Sequence, residues 1–323
     1  MNGNKIKREL YNLELLNRYF RDYSLSIGFW SLADGLIRRL GINGLYKMTH
    51  FKRYEVCKDY LRKKYGYVIQ KYQKLETYRF DNIKKDETVW RFWYQGEKNM
   101  PYPVNLCVES VKRHANEHPI VFIDSNNYEE YVTLPSSIKK KIKTGRITIA
   151  HLSDILRLAL LHEHGGIWLD STFYLTRDIP DNIEQYGFFS ICAENERKWV
   201  VSKDLWSLGM MCASKNNSFI DYCWEFLQEY WENENTIICY LLLDCIISIG
   251  YEDIPEFRQL INSIPGNNKN TFVMLDDFRN KPVNNDEFNR ILDSTYIFQL
   301  TYKNHYKKEV EGRMTNFAYL IEK

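Results

Sequence analysis

Residues 151–172 read HLSDILRLALLHEHGGIWLDST, and this run constrains the chain more than any other. Polar residues open it, an apolar stretch carrying Asp154 and Arg157 follows, Gly165 and Gly166 break it, and Ile167-Trp168-Leu169 end on Asp170. Ser153 has the chemistry of a helix N-cap, and Gly165 supplies the left-handed turn that stops a helix. Asp154 and Arg157 are three apart and share one helical face. The three bulky residues predict a short buried strand with Asp170 at its carboxyl end. In open α/β sheets, ligands bind in the crevice beyond those ends. A carboxylate there is placed to meet a metal or a sugar hydroxyl. Taken singly, Asp154 and Arg157 also read as a plain ion pair, and Asp170 as a turn cap.

The flanking sequence supports an α/β chain. TVWRFWY predicts a strand, the turn QGEKNMPYP follows, and VNLCVESVKRHANEH predicts a helix leading to the strand PIVFIDSNNY. Strand, helix, strand begins an α/β sheet. Further strands are expected at GFFSICAE, LWSLGMMCAS and STYIFQLTYK, and helices at 217–231 and 236–249. The Asn- and Asp-rich stretch 266–289 reads as loop.

Charge divides the chain. Residues 1–86 hold 19 Lys and Arg against 9 Asp and Glu, whereas the remainder is net acidic. We therefore divide the chain into a basic helical module, 1–86, and an α/β domain, 87–323. Leu10, Leu13, Leu16 and Phe20 sit at helical spacing in the first part. SIGFWSLADGLIRRL is aromatic and ends in Arg38 and Arg39, and a basic, Tyr-rich segment follows. Such helices either pack on the main domain or lean on anionic lipid, and the two roles are compatible. MNGNKIKREL lacks the apolar core of a signal peptide, so none is expected. The most apolar stretch, TIICYLLLDCIISIG, is too short to span a bilayer and predicts a buried helix interrupted by Asp244. The odd set of seven Cys has no CxxC pair, which predicts core thiols rather than zinc or disulfides. Walker, GxGxxG and HExxH motifs are absent. His162 and His164, two apart, read as helix-end residues.

These segments resemble the bacterial capsular polysaccharide synthesis glycosyltransferases and the wider sugar transferases with an Asp-x-Asp motif related to glycosyltransferase family 32. SDILR and GGIWLDST carry the likeness, with VWRFWYQGEKNMPYPVNLCVESVKRHANEH upstream and FQLTYK downstream, over about residues 88–305. The resemblance implies a GT-A-type, Rossmann-like nucleotide-sugar domain with a mainly parallel sheet. It implies a retaining, metal-dependent transfer of galactose or glucose from a UDP-sugar. By it, Phe92, Trp93, Gln95 and Gly96 hold the base, and Asp154 and Arg157 grip sugar hydroxyls. Trp168 packs near the nucleotide, and Asp170 with Ser171 meets ribose, sugar or a Mn²⁺ or Mg²⁺ ion.

The family triplet is often Asp-x-Asp, whereas here it is Asp170-Ser171-Thr172. A Thr hydroxyl is a much poorer ligand for these cations than a carboxylate. From the C-terminal segment, His305 is a candidate second metal ligand, Lys303 a candidate diphosphate contact, and Thr301 a further polar group. Asp170 and Asp244 are the expected catalytic residues; Asp244 either orients the acceptor hydroxyl or stabilises charge at the reacting carbon, or else pairs with a buried Arg or Lys, and Glu194 has a similar claim. The expected acceptor is a lipid-linked sugar at the cytoplasmic face of the membrane, reached through peripheral contact of residues 1–86; no nucleic acid is involved. A protein acceptor, or a non-catalytic nucleotide-sugar-binding membrane adaptor, are the alternatives.

Overall fold

The computed structural model describes residues 12–193 and 197–322. Two helices, α1 (Leu25–Leu40) and α2 (Asn43–Gln73), form an N-terminal hairpin. Then come β1 (Val89–Phe92), α3 (Val104–His114), β2 (Ile120–Ile123), α4 (Ser136–Lys143), α5 (Ile149–Glu163), β3 (Gly166–Leu169) and β4 (Phe173–Leu175). The remainder supplies β5 (Phe188–Ser190), β6 (Met210–Ala213), α6 (Ser218–Asn233), α7 (Leu242–Asp253), α8 (Pro255–Asn262), α9 (Asn285–Ser294) and β7 (Ile297–Gln299). Near Lys323 the two-residue strands Glu309–Val310 and Arg313–Met314 form a small antiparallel hairpin.

The main sheet has the order β2-β1-β3-β6-β5. β2, β1 and β3 run parallel, and β6 is antiparallel to both β3 and β5. The architecture is thus a mixed α/β fold around a mostly parallel sheet, with helices at the N-terminal end. β1 and β3 stop side by side, with Trp90 paired to Trp168, so their carboxyl ends open on the same crevice. A second small sheet pairs β4 with β7, and Leu300 N–H donates to the Thr172 carbonyl at 2.8 Å. The late strand therefore passes directly beside the turn that follows Asp170.

Two glycines let helix meet strand. Gly165 and Gly166 have φ of +75° and +113°. A Cβ on Gly165 would lie 2.5 Å from the Lys215 nitrogen, and one on Gly166 would lie 2.6 Å from the Thr88 carbonyl oxygen. No L side chain fits either place without moving backbone.

The start of α5 differs from the sequence expectation. Thr148, extended at φ −76° and ψ 163°, is the N-cap, and its hydroxyl accepts from His151 N–H. Ser153 lies one turn inside, and Asp154 and Arg157 sit deeper in the helix than expected. The segment 236–241 is not helical either. Tyr230 hydroxyl donates to the Thr236 carbonyl at 2.6 Å and accepts from Ile238 N–H at 2.8 Å, so a side chain from the end of the preceding helix satisfies the backbone there. The expected loop at 266–289 contains two 3₁₀ turns and the start of α9, which Asn284 caps.

The inner face of α2, including Tyr54, Cys57, Leu61, Tyr65 and Val68, belongs to the same core as β3 and α5–α7. Lys58, 2% exposed, donates to both Glu252 oxygens at 2.8 and 2.9 Å. Burial would raise Glu252, but hydrogen bonds from Lys58 and Arg62 hold it down to about 2. All seven cysteines are buried free thiols. Among the described residues, no helix is long and apolar enough to cross a membrane.

Candidate functional site

The sheet topology brings Asp154, Arg157, Trp168 and Asp170 together. α5 runs back over β3, so Arg157 faces the end of the strand. Its Nη1 donates to Asp154 Oδ1 at 2.8 Å and its Nη2 to Asp170 Oδ1 at 3.1 Å. The Trp168 indole N–H donates to the same Asp170 oxygen at 2.8 Å, and the guanidinium carbon stands 5.0 Å from the Trp168 ring centroid. Asp170 N–H is fixed by the Gly209 carbonyl at 2.8 Å. Its Oδ1 is therefore doubly engaged, while Oδ2 takes no hydrogen bond from a described residue and the side chain is 29% exposed.

Asp244 completes an acidic group. It lies in the first turn of α7 and accepts from the Trp206 indole N–H at 3.0 Å. Burial pushes it up to about 6, against the pull of that hydrogen bond and of Arg157. Burial pushes Asp154 up to about 7; Arg157 opposes this, and the charges of Asp244 and Asp170 add to it. Desolvation, with Asp154, Asp170 and Asp244 nearby, also raises the Tyr240 phenol. Three carboxyl groups thus share one field around a single guanidinium. A cavity of about 280 Å³ opens beside Asp244, lined also by Trp206, Ser207, Leu208, Gly209 and Phe272 among others.

The aromatic turn stands beside the neighbouring strand end. Phe92 is buried and Trp93 is half-buried, edge-on to Tyr302 with ring centroids 5.9 Å apart. Gln95 is exposed, and its carbonyl accepts from Asn99. Gly96 has φ +84°, and a Cβ on it would come within 3.2 Å of Asp124 Oδ2. Because Trp93 touches Tyr302, the loop bearing Lys303 and His305 forms a rim of the same crevice. Lys303 is exposed over the Tyr302 ring. His305 is also exposed, and only its backbone carbonyl is held, by Arg279 and Asn280.

Two expected donor contacts take other roles. Ser171 is 4% exposed and its hydroxyl donates to the Phe92 carbonyl at 2.8 Å, so it ties the ends of β1 and β3 together instead of facing a ligand. Trp168, 1% exposed, offers no open ring face and acts through Asp170. Glu194 lies outside the described residues. Among the described residues, no group of three His, Cys, Asp or Glu side chains is placed to hold a metal ion. The donor set at the turn is one free carboxylate oxygen. That fits Mg²⁺ or Mn²⁺ only as an ion held chiefly by substrate phosphates, with a single protein carboxylate.

Sequence reasoning missed Trp206, Tyr240 and Asp124. VFID ends a strand on Asp124 just as IWLD ends one on Asp170, so the same signal was present there. Tyr240 precedes Asp244 by four residues. Trp206 carried no local signal, because its partner is 38 residues away.

The chain is 30% identical over 105 residues to the O-glycosyltransferase PaGT of Phomopsis amygdali, covering 30% of this chain and 26% of that protein. It is 26% identical over 172 residues to the O-glycosyltransferase braB of Annulohypoxylon truncatum, covering 48% and 40%. To the probable glycosyltransferase FCK3 of Fusarium pseudograminearum it is 24% identical over 207 residues, covering 57% and 49%. The chain thus aligns with less than half the length of each of these relatives. The family model described as capsular polysaccharide synthesis protein matches residues 39–319, reaching into the basic N-terminal segment as well as the sheet. The chain belongs to the capsular polysaccharide synthesis protein family.

Proposed function

We propose that this protein is a glycosyltransferase of GT-A type that moves a hexose, galactose or glucose, from a UDP-sugar to a lipid-linked sugar with retention of configuration. One observation carries the reading: the Arg157 fork that joins Asp154 to Asp170 where β1 and β3 end. Similarity to three proteins named as glycosyltransferases supports the transfer chemistry.

In this reading Phe92–Gly96 hold the base, Asp154 and Arg157 take sugar hydroxyls, and Lys303 meets the diphosphate from the rim. Asp170 Oδ2 reaches the ribose or a divalent ion. A bound Mn²⁺ or Mg²⁺ would offset charge on the departing diphosphate. The bond between the sugar's anomeric carbon and the phosphate oxygen breaks, and one to the acceptor oxygen forms on the same face. Asp244 orients the acceptor hydroxyl, whose proton passes to the departing phosphate. Preorganised charge at such a site is the main source of rate enhancement. The basic N-terminal hairpin holds the protein peripherally against anionic lipid at the cytoplasmic face.

The test is hydrolysis and transfer by the purified protein across a panel of nucleotide sugars, with and without Mn²⁺ or Mg²⁺. Metal-dependent turnover of UDP-galactose or UDP-glucose that disappears in Asp170→Ala is expected. Binding of UDP-sugar without turnover would leave a non-catalytic adaptor. Transfer to protein but not to lipid diphosphate sugars would replace the acceptor.

A further inference from the structure

The cavity beside Asp244 is mostly apolar. Trp206, Leu208, Leu241 and Phe272 form walls, and the Asp244 carboxyl is the charged group nearest the donor residues. Arg197 and Asp204 line it too, but they pair with each other at 2.6 and 2.9 Å, which leaves Asp244 as the carboxylate not held by a cation there. An apolar wall beside such a carboxylate suits a hydroxyl-bearing ring, because the ring lays its C–H face on the wall while a hydroxyl donates to the acid. Val200 and Val201 also line this cavity, and the same two residues wall a cleft that is closed on its other side by Phe51 and Tyr54 of α2. Trp199, next in the chain, packs edge-on against Tyr46 at 5.9 Å and His50 at 5.4 Å. One short segment therefore separates the cavity from the helical hairpin.

The outer surface of that hairpin is strongly apolar. Leu25, Phe29, Leu32, Leu36 and Leu40 are exposed on α1 at spacings of three and four, and Leu25 is 77% and Leu40 69% open to solvent. Leu45, Met48 and Phe51 continue the stripe on α2. Apolar side chains clustered this way along one exposed helix face mark an interaction face. Arg38, Lys47 and Lys52 are exposed around it, so the face is complementary to a surface that is apolar inside and anionic outside. Phe51 belongs to both the stripe and the cleft. Val200 and Val201 thus link the cavity to the cleft that Phe51 and Trp199 line.

We infer that the cavity beside Asp244 is the acceptor site, that the acceptor is a sugar carried on an apolar chain, and that this chain lies over Val200, Trp199 and Phe51 towards the stripe on α1. The assignment of the cavity to an acceptor rests on the proposed transferase reading; the binding of an amphiphile does not. The sugar head lies against the part-exposed Leu208 and Phe272 with a hydroxyl on Asp244. The hairpin sets the chain's lipid end at the membrane, so the same surface that docks the protein delivers its substrate.

The experiment uses dodecyl maltoside below its micellar concentration as the probe, with maltose as the chain-free control, and measures binding by calorimetry on the full chain. Wild type is expected to bind the detergent saturably and maltose at least about tenfold more weakly, the effect of a buried alkyl segment. Leu208→Trp, which fills the cavity, and Phe51→Asp, which interrupts the apolar path, are each expected to weaken detergent binding about tenfold. Phe51 is surface-exposed, so that variant folds even where the cavity variant does not. Equal binding of detergent and maltose, absence of detergent binding, or binding unchanged in folded Leu208→Trp or Phe51→Asp would overturn the inference. Hydrolysis of UDP-sugars is followed in the same preparation. Detergent binding as expected with no hydrolysis would sink the transferase reading and leave an amphiphile cavity, whereas hydrolysis without detergent binding would do the reverse.

Discussion

Arg157 and Asp170 are thirteen residues apart in the chain, and a hydrogen bond of 3.1 Å joins them across the junction of α5 and β3. The same guanidinium, 3% exposed, holds Asp154. One cation therefore sets the position of two carboxylates.

Removing that cation leaves two carboxylates facing each other in a poorly hydrated place. Arg157→Met is expected to cost about 3–5 kcal/mol of stability, the usual effect of breaking a buried pair. Arg157→Lys restores the charge but not the planar fork that reaches both acids, so activity stays at least about 100-fold down. Denaturant unfolding and nucleotide-sugar hydrolysis of the two variants check this.

Asp170→Asn keeps an oxygen for Trp168 and Arg157, and the fold is expected to persist. The free carboxylate oxygen is lost, however. UDP binding in the presence of Mn²⁺ should weaken by at least about tenfold, roughly the 1.5–3 kcal/mol of one charged hydrogen bond. Isothermal titration with UDP, with and without the metal, reads the change.

Asp154 gives a pH signature. Its folded value of about 7 exceeds the unfolded carboxyl value, so the folded chain binds more protons between about pH 4 and pH 7. Its contribution to stability is present below that window and is lost as pH rises through it. Asp154→Asn removes the titration. The melting temperature of the variant relative to wild type should therefore climb from pH 4 to pH 7 and level off above. A difference that is flat with pH would contradict the burial of this carboxyl.

Burial raises Asp244 to about 6 even though the Trp206 indole N–H pulls it down. Trp206→Phe deletes that donor and keeps an aromatic wall. Asp244 is expected to titrate higher, moving the acid limb of the pH–rate profile for transfer upward by up to about one unit, roughly 1.4 kcal/mol. An unchanged limb would remove Asp244 from the acceptor step.

What the sequence made legible is what lies close together along it. The helix, the Gly165–Gly166 break, the strand and the pairing of Asp154, Arg157 and Asp170 all fall within one short run, where periodicity and turn chemistry speak directly. Errors arose where a choice depended on local dihedrals or on hydrogen bonds that residue pattern does not encode. Thr148 displaced Ser153 as the cap because its backbone is extended, a detail no composition reveals. Ser171 turned inward because the Phe92 carbonyl lay across the strand gap. The stretch 236–241 failed to coil because Tyr230 supplied its hydrogen bonds. Asp124 was legible and overlooked. The Trp206–Asp244 bond and the shared wall at Val200 join parts of the chain that only the fold brings together.

The two glycines at 165 and 166 have a consequence for how such a protein diverges. They compress the grip of Arg157 on Asp154 and Asp170 into seventeen consecutive residues, a unit that carries its own geometry. The chamber beside it draws its walls from Trp206, Leu241 and Phe272, on separate stretches of chain. Substitutions at Trp206, Leu241 or Phe272 reshape the chamber without changing any residue of the grip, so relatives sharing this short unit are free to accept different partners while keeping one way of holding the group they transfer.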